Sequence, residues 1–549
     1  MEEIIIIGAG AAGLSAALEL AKNGVKSVLV ADMPSNRAQS AMAEGGINVA
    51  FASDIDSPNL HADETLQAGR HLADSVAVHD LAENAPKIIE ELFADGMSFS
   101  LNKDGKPEAR AFGGQSVKRT YYAAADTGKQ LMHTLISKVR RFEADGTVRR
   151  LTGWLFLRLL WNEDQVCGCV LTQANTGEKT ALHGKVIIAS GGMNGMFGNA
   201  TGSVCNTGAV TASLFADGVK IANGEFIQYH PTTVHLREKN MLITEAVRGE
   251  GGRLFTLRDG KPYYFMEEKY PKLGNLMPRD VITREEWALM QQGEQIFLDM
   301  RHLDETVRQT KLKGVVDDCL QFLSLDPAKE PIPVVPGIHY FMGGICVDRY
   351  HRTDHKGLYA AGECACQYHG ANRLGGNSLL GAMYGGKIAA KSAIEDDLEV
   401  PNIDESQLEN FSAETADKSF AEKSAAKPSD IGYVDGILEL RRILNKGLGI
   451  VRDEKTIGEA LSELADLKGR LSDSYDASAS SYENEMLKNC CLLGQALLMS
   501  ADERKESRGA HIRSDFTEER EEYKKQTVAQ KTGSDIKITF ESVGEENAH

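Results

Sequence analysis

The stretch IIIIGAGAAG, from Ile4 to Gly13, decides the fold of this 549-residue chain. Four consecutive β-branched residues predict a buried strand, and the glycines after them permit a tight turn into a helix. A second apolar run, Ser27 to Ala31, ends at Asp32, 19 residues after Gly13. This βαβ pattern directs the helix N-terminus toward a pyrophosphate and Asp32 toward the ribose hydroxyls. The sequence therefore predicts a dinucleotide site.

Two later segments indicate which dinucleotide is bound. Lys185 to Gly192 (KVIIASGG) and Thr353 to Glu363 (TDHKGLYAAGE) are apolar runs that also end in glycine-rich turns. They resemble the second and third dinucleotide segments of flavoproteins with two dinucleotide-binding domains, in which the final acidic residue contacts the ribityl chain of FAD. These segments favour FAD over NAD.

Composition excludes several classes of function. The net charge of −18 argues against binding of nucleic acid or an anionic membrane over the whole surface, but it permits a local basic pocket. No apolar run approaches the roughly 18 residues of a spanning helix, and the N-terminus carries acids where a signal peptide is basic. We therefore expect a cytoplasmic protein. The nine cysteines form no CxxC or CxxCH pattern, so neither a disulfide framework, an iron–sulfur site nor an attached haem is expected.

The predicted fold class is α/β, a Rossmann-like FAD fold with two dinucleotide-binding domains. We expect an inserted α+β cap domain with a helix around Arg279 to Gln291, then a C-terminal helical bundle and a short extended tail that pairs as an edge hairpin. Pro331 to Pro336 is interpreted as the linker that returns from the cap, and 401–431 as a surface segment or a poorly packed hairpin. The expected boundaries are 1–225 for the first part of the FAD-binding domain, 226–338 for the cap, 339–400 for the second part, 401–515 for the helical domain and 516–549 for the extension.

Four motifs place histidine and arginine beside glycines that allow close approach to a ligand. His230 lies in QYHPT, Arg248 in LITEAVRGEGG, His339 in HYFMGG and Arg373 in HGANRLGGNS. Together these residue types indicate a site for a small dianion.

The chain resembles the flavoprotein subunits of fumarate reductase and succinate dehydrogenase, and their relative L-aspartate oxidase, along nearly its whole length. Nine segments in the same order carry the resemblance: GAGAAG, AEGGI, AADTGKQLMHTL, QYHPT, TEAVRGEGG, MPRD, HYFMGG, HGANRLGGNSLL and RKESRGAH.

The resemblance implies a mechanism and a set of site residues. Hydride passes from FAD N5 to one alkene carbon of fumarate, and Arg279 of MPRD protonates the other. Glu245 and Arg248 match the residues that relay the replacement proton to it. The residues implied in substrate binding are His230, Thr244, His339, Arg373, Phe112 and Gln115.

The family's FAD contacts are carried over in the same way. The implied positions are Gly8, Gly10, Ala11, Ala12, Gly13, Asp32, Ser40, Ala43, Gly45, Gly46, Asp126, Ala189, Gly191, Gly192, Glu363, Asn377, Ser378 and Leu379.

One position departs from the family pattern. In many members a histidine before the Gly-Gly turn is bonded covalently to the flavin, and here RAQSAMAEGG aligns Gln39 with it. An amide nitrogen cannot replace imidazole in that linkage, so we expect non-covalent FAD. Within the family, unattached flavin has the lower reduction potential, which favours fumarate reduction over succinate oxidation.

Three alternatives remain open at this point. L-Aspartate oxidase also has unattached flavin, but an acidic residue near its substrate ammonium aligns with Phe112, and an apolar ring offers no counter-charge. The chain could instead reduce another alkene such as an acrylate, or serve as a non-catalytic flavin electron-transfer subunit.

Electrons must reach FAD from outside this chain, which has no cluster ligands or haem motif. The resemblance implies an iron–sulfur partner subunit, in some relatives with a membrane anchor. It thus allows peripheral attachment to the cytoplasmic face of the membrane through that partner.

Overall fold

A parallel sheet forms the centre of the N-terminal half. A computed structural model of the chain describes residues 3–237, 239–403, 427–428, 431–472, 474–475 and 480–544. All neighbours in the five-stranded sheet run parallel. Its strands in spatial order are Leu358–Ala360, Val186–Ile188, Ile4–Ile7, Ser27–Ala31 and Val148–Thr152. The three segments predicted to bind the dinucleotide are therefore neighbours in one sheet, which confirms the predicted fold class.

Helices cover this sheet closely. The helix Ala11–Lys22 begins directly after the GAG turn and packs against the helix Asn377–Glu395. Their contact requires a glycine at Gly386, where a Cβ would overlap the backbone of Ala12. Gly8 has a φ of +114°, and a Cβ there would overlap the carbonyl of Ala189 on the next strand. The other helices of this half are Pro58–Ala68, Ser75–Ala94, Thr127–Ala144, Asn194–Phe197 and Ala209–Ala216, with 3₁₀ turns at Ser35–Arg37, Gln39–Met42 and Gly362–Cys364.

Two small antiparallel sheets complete the FAD-binding half. One is a meander of Trp154–Asn162, Gln165–Gln173 and Lys179–His183, which was not predicted. The other joins three two-residue strands, Ile47–Asn48, Thr120–Tyr121 and Ala109–Arg110.

The inserted cap is built on a six-stranded antiparallel sheet. Its strands in spatial order are Lys239–Leu242, Ile227–Leu236, Ile332–Phe341, Ile296–Asp299, Arg253–Arg258 and Lys261–Tyr263. Its helices and turns are Ala246–Gly249, Phe265–Lys269, Gly274–Leu276, Arg279–Met290, Glu305–Gln309, Lys313–Asp318 and Cys319–Leu323. The helix predicted near Arg279 is thus present, within one residue of the expected end.

The interpretation of Pro331 to Pro336 as a linker is wrong. Residues from Ile332 onward form a ten-residue strand in the middle of the cap sheet. Proline cannot donate a ladder hydrogen bond and is normally excluded from central strands. Here the register shifts between His230 and Thr233, opposite Pro336, and this irregularity removes the need for one N–H donor.

The C-terminal part contains three long helices and a hairpin. The helices are Tyr433–Gly447, Glu454–Ser472 and Ser481–Glu503. The hairpin pairs Gln526–Thr532 with Asp535–Glu541 and extends a sheet whose other strands are Ile221–Ala222, Gly344–Cys346 and Ala365–Cys366. Short strand pairs join Val451–Arg452 to Ile512–Arg513 and Lys427–Pro428 to Ser474–Tyr475, and Glu521–Tyr523 is a 3₁₀ turn. The tail thus forms the expected edge hairpin, whereas most of 401–431 lies outside the described residues. The domain boundaries stay predictions.

In the described ranges, no helix combines the length and apolar character needed to cross a membrane.

A buried ion cluster ties the C-terminal part to the rest of the molecule. Arg504 is fully buried and pairs with Glu225 at 2.6 Å and with Glu506 at 2.9 Å. The same guanidinium donates to Thr527 Oγ1 and to the carbonyls of Tyr523 and Lys525. One side chain therefore links the last helix, the hairpin and the start of the cap.

We predict that Arg504→Leu lowers the free energy of unfolding by about 3–5 kcal/mol, because Glu225 loses its buried cationic partner. Thermal and denaturant unfolding of the FAD-loaded protein measures the change. The control is Arg442→Leu, which removes an ion pair to Glu463 from a side chain that is 58% exposed and should cost at most about 1 kcal/mol. Equal losses in the two variants would contradict the assignment of Arg504 as an anchor.

Candidate active site

A cavity of about 380 Å³ lies between the carboxyl ends of the parallel strands and the cap. Gly8, Asp32, Ala189 and Ala361 each follow one of four neighbouring strands and line its floor. Carboxyl ends of parallel strands are where this class of fold binds ligands. Residues of the cap close the other side.

The elongated end of the cavity fits a dinucleotide. The first helical N–H, that of Ala11, donates to Ser40 Oγ at 3.1 Å, and Gly10, Ala11 and Ala12 line the cavity, so the positive end of the helix dipole borders it. Glu363 also lies in the cavity wall, where burial raises the pKa of its carboxyl to about 7, while the Phe341 N–H donates to it at 3.2 Å. These residues suit FAD, whose phosphates and ribityl hydroxyls match a helix N-terminus and a buried acceptor.

Most of the predicted FAD contacts lie in the cavity wall. They are Gly8, Gly10, Ala11, Ala12, Asp32, Ser40, Ala43, Gly45, Gly46, Ala189, Gly191, Glu363, Ser378 and Leu379.

Four predicted contacts lie elsewhere. Gly13 and Gly192 support the wall from behind, since a Cβ would overlap the carbonyl of Gly8 in the first case and lie 2.6 Å from Glu363 Oε1 in the second. Asn377 is fully buried and binds Asn48, His61 and Thr65. Asp126 pairs with Lys129 at the surface, with about half of its side chain exposed.

The proton-donating arginine predicted from MPRD is held by a carboxylate. Arg279 begins the cap helix, and its Nε and Nη2 both donate to Glu245 Oε2, at 2.9 and 2.6 Å. The Gly113 N–H donates to the other oxygen of Glu245 at 2.7 Å. Burial raises the pKa of Glu245, but the charges of Arg279 and Arg248 outweigh it and leave that pKa at about 2. Glu245 is therefore ionised at neutral pH.

Arg248 stands behind this pair, outside the cavity wall. Its Nη2 is 3.6 Å from Glu245 Oε1, and its Nη1 donates to the Asn275 carbonyl at 2.7 Å. Burial lowers the pKa of Arg248, and the charge of Glu245 opposes that shift. The three residues thus lie in the order Arg279, Glu245, Arg248, and of these only Arg279 and Glu245 line the cavity.

Arg373 is a second cation in the wall, and it lacks a carboxylate. It is 3% exposed, and its guanidinium donates to Gln228 Oε1 at 3.0 Å and lies over the ring of Tyr340. Its Nε has no partner, and none of the described carboxylates forms an ion pair with it. Burial and the neighbouring charge of Arg279 lower the pKa of Arg373 to about 9. An anion in the cavity would supply the missing counter-charge.

Two histidines face each other on adjacent cap strands. The ring centroids of His230 and His339 are 5.0 Å apart. Burial and the charge of Arg279 hold the pKa of both rings well below the usual range, so both are neutral at pH 7. The Thr232 N–H donates to His230 Nδ1 at 3.2 Å, which leaves the ring proton on Nε2. His230 is therefore a neutral hydrogen-bond donor in the cavity wall, as is the hydroxyl of Thr244.

Phe112 and Gln115, which the resemblance implies in substrate binding, differ in their contact with the cavity. Phe112 is 2% exposed and lines the cavity with an apolar ring. Gln115 does not reach the wall, because its amide donates to Asn48 Oδ1 at 2.9 Å and to the Gly375 carbonyl at 3.0 Å.

Several residues in the cavity wall or directly behind it were not predicted, and Gln228 is one of those behind it. Gln228 touches both Arg279 and Arg373, and its place two residues before His230 on one strand could have indicated this. Thr201, which lies 2.7 Å from His339 Nδ1, and Asn206, Lys239 and Asn240 line the cavity but carry no motif signal.

Gln39 also lines the cavity, and its side-chain oxygen accepts from the Ser203 N–H at 2.6 Å.

Comparison with known proteins agrees with this geometry. The family model described as FAD binding domain matches residues 3–379, and that described as fumarate reductase flavoprotein C-term matches residues 437–548. The succinate dehydrogenase flavoprotein subunit of Bacillus subtilis is 37% identical over 96% of this chain and 93% of its own length. The fumarate reductase flavoprotein subunit of Serratia is 33% identical over 93% of this chain and 89% of its own length.

The fold comparison leads to the same group. A solved structure of the E. coli quinol fumarate reductase FrdA, in a variant form, superposes with a TM-score of 0.88 at 28% identity, over all of this chain and 97% of that one. With the cavity, its arginines and these matches together, the chain belongs to the family of FAD-binding succinate dehydrogenase and fumarate reductase flavoproteins, and it is an oxidoreductase.

Proposed function

We propose that this protein reduces fumarate to succinate, with Arg279 as the proton donor. The observation that carries the proposal is the buried cation Arg373, which has no carboxylate partner and shares the cavity with the Arg279–Glu245 pair. A flat dicarboxylate would give Arg373 a counter-charge and would bring its second carboxylate close to the Arg279–Glu245 pair. The names of the two curated relatives describe both directions of this same reaction.

FAD, when bound, supplies the hydride. The chain's own residues then supply the proton and hold the substrate. Arg279 gives a proton from its guanidinium to the alkene carbon and regains one through Glu245 and Arg248.

The remaining wall residues bind and orient the substrate. His230, Thr244 and His339 are neutral hydrogen-bond donors, and Arg373 is a charged donor. The three neutral donors can hold the substrate's carboxylates without adding positive charge to a buried site. Fixed donors in a water-poor cavity also stabilise the negative charge that develops as hydride arrives.

The alternative activities receive less support from the wall. L-Aspartate would place an ammonium near Phe112, where an apolar ring gives it no partner. A monoanionic acrylate would offset only part of the excess positive charge of Arg279, Arg248 and Arg373 over Glu245. A non-catalytic subunit would have no use for a buried arginine in contact with a carboxylate relay.

The proposal extends to an electron-donating partner. Both curated relatives are named as flavoprotein subunits, which supports assembly with a further chain. We propose an iron–sulfur subunit as that partner, and peripheral attachment to the cytoplasmic face of the membrane through it.

Arg279→Ala should lower kcat for fumarate with a reduced dye by at least about 10²–10⁴-fold, the usual contribution of a general acid, while FAD stays bound. Arg284→Ala is the matched control, because Arg284 is exposed on the same helix and should leave kcat unchanged. An Arg279→Ala enzyme that keeps most of its activity would refute the proton-donor role. Formation of iminoaspartate from L-aspartate by the wild type, without fumarate turnover, would refute the substrate.

We also propose that FAD is dissociable, because Gln39 stands where many relatives have the flavin-linking histidine. Acid precipitation of the FAD-loaded protein should leave a colourless pellet and release the flavin into the supernatant. Absorbance of both fractions measures this, with free FAD added to an unrelated protein as the control for trapping. A yellow pellet that survives repeated washing would show a covalent bond.

The direction of the reaction follows from the unattached flavin. Fumarate turnover with a reduced dye should exceed succinate turnover with an artificial acceptor when both are measured at saturating substrate. Faster succinate oxidation would overturn the proposed physiological direction without affecting the substrate assignment.

A further inference from the structure

The two arginines of the cavity share a single neutral acceptor. Gln228 Oε1 accepts from Arg279 Nη1 at 2.8 Å and from Arg373 Nη2 at 3.0 Å. Gln228 is 1% exposed, so water does not compete for this oxygen. One amide oxygen therefore bridges two guanidinium groups.

The orientation of this amide is determined by its other contacts. Gln228 Nε2 donates to Asn372 Oδ1 and to the Arg373 carbonyl, both at 2.8 Å. Asn372 in turn donates through Nδ2 to Asp280 Oδ1 at 3.0 Å. An ionised carboxylate only accepts hydrogen bonds, so the direction of the whole chain of donors is fixed from Asp280 inward. The oxygen of Gln228 must face the arginines.

The network also holds the two cations at a fixed distance from each other in space. Asp280 is the neighbour of Arg279, and Asn372 is the neighbour of Arg373. Asp280 is anchored on its outer side by Arg70 at 3.2 Å. Each arginine is thus attached twice to this hydrogen-bond network. Its side chain bonds to Gln228, and its backbone is joined to a neighbouring residue that belongs to the network. This double attachment sets the distance between them.

The chemistry of the acceptor matters as much as its position. A carboxylate at residue 228 would bind both guanidinium groups more strongly than an amide does. It would also cancel one of the positive charges that a dianion requires. An apolar side chain would keep the charges but release the arginines from each other.

We propose that Gln228 is a positioning and specificity-determining residue, which ties Arg279 to Arg373 while leaving both charges available to a dicarboxylate. This inference rests on the proposed function. It predicts that Gln228 sets affinity for dianions through its lack of charge, and sets turnover through its hold on Arg279.

Two substitutions separate these effects. Gln228→Glu should raise the Kd of malonate, a non-reducible dicarboxylate, by about 10- to 100-fold, which is the effect of losing one charge-assisted contact. The ratio of variant to wild-type Kd should fall toward 1 as the pH is lowered into the range where carboxylic acids are protonated. The reason is that a protonated Glu is uncharged and has nearly the shape of Gln. Gln228→Met should lower kcat for fumarate by about tenfold or more and raise the Kd of malonate less than Gln228→Glu does.

Calorimetric titration of the FAD-loaded proteins with malonate gives Kd without turnover. Gln367→Glu is the matched control, since Gln367 is also buried but donates to the Asp348 carbonyl outside the cavity wall, and it should bind malonate like the wild type. An unchanged Kd in Gln228→Glu, an unchanged kcat in Gln228→Met, or an equal loss of affinity in Gln367→Glu would overturn the inference. Failure of the wild type to reduce fumarate would instead sink the proposed function, while the malonate titration would still decide the role of Gln228.

Discussion

The site depends on an excess of buried positive charge. Arg279, Arg248 and Arg373 are each at most 6% exposed, and Glu245 is the ionised carboxylate that pairs with two of them. Isolated charges are costly to bury, so such an excess persists only where the fold gains other interactions or where a ligand completes the pairing. Counted over these four groups alone, three positive charges and one negative charge leave an excess of two, and a dicarboxylate carries two negative charges. The charge count thus agrees with the proposed substrate independently of any motif.

The excess positive charge of the site is opposite in sign to the net charge of the whole chain. A chain with a net charge of −18 repels a dianion at long range, but screening restricts that repulsion to roughly 8 Å at physiological ionic strength. In the cavity wall the arginine side chains are buried, so salt screens their interactions much less than those of surface charges. Recognition of the substrate is therefore a short-range property of the cavity wall, and the overall charge serves solubility.

The parts of this arrangement that were predictable from sequence are those encoded locally. The strand at Ile4 and the glycine turn after it follow from neighbouring residues, as does the helix that begins at Arg279. The linker assigned to Pro331–Pro336 was wrong because proline statistics do not include the strand irregularity opposite it. The acceptor role of Gln228 was also missed, since its orientation depends on Asn372, 144 residues away. Hydrogen-bond direction between distant segments has no local sequence signal.

Four buried arginines outside the cavity have partners for their side-chain donors, unlike Arg373. Arg504, Arg508 and Arg513 each have a carboxylate oxygen within 2.9 Å. None of the described carboxylates pairs with Arg452, but its donors reach backbone carbonyls and the ring nitrogen of His511. Arg373 differs from all four, since it keeps an unpartnered Nε and borders open space. Arg110 and Arg248 also have unpartnered buried nitrogens, but neither lines the cavity. Because Arg373 has both an unpartnered Nε and a place in the cavity wall, the physical case for an anion site depends on this residue more than on the Arg279–Glu245 pair.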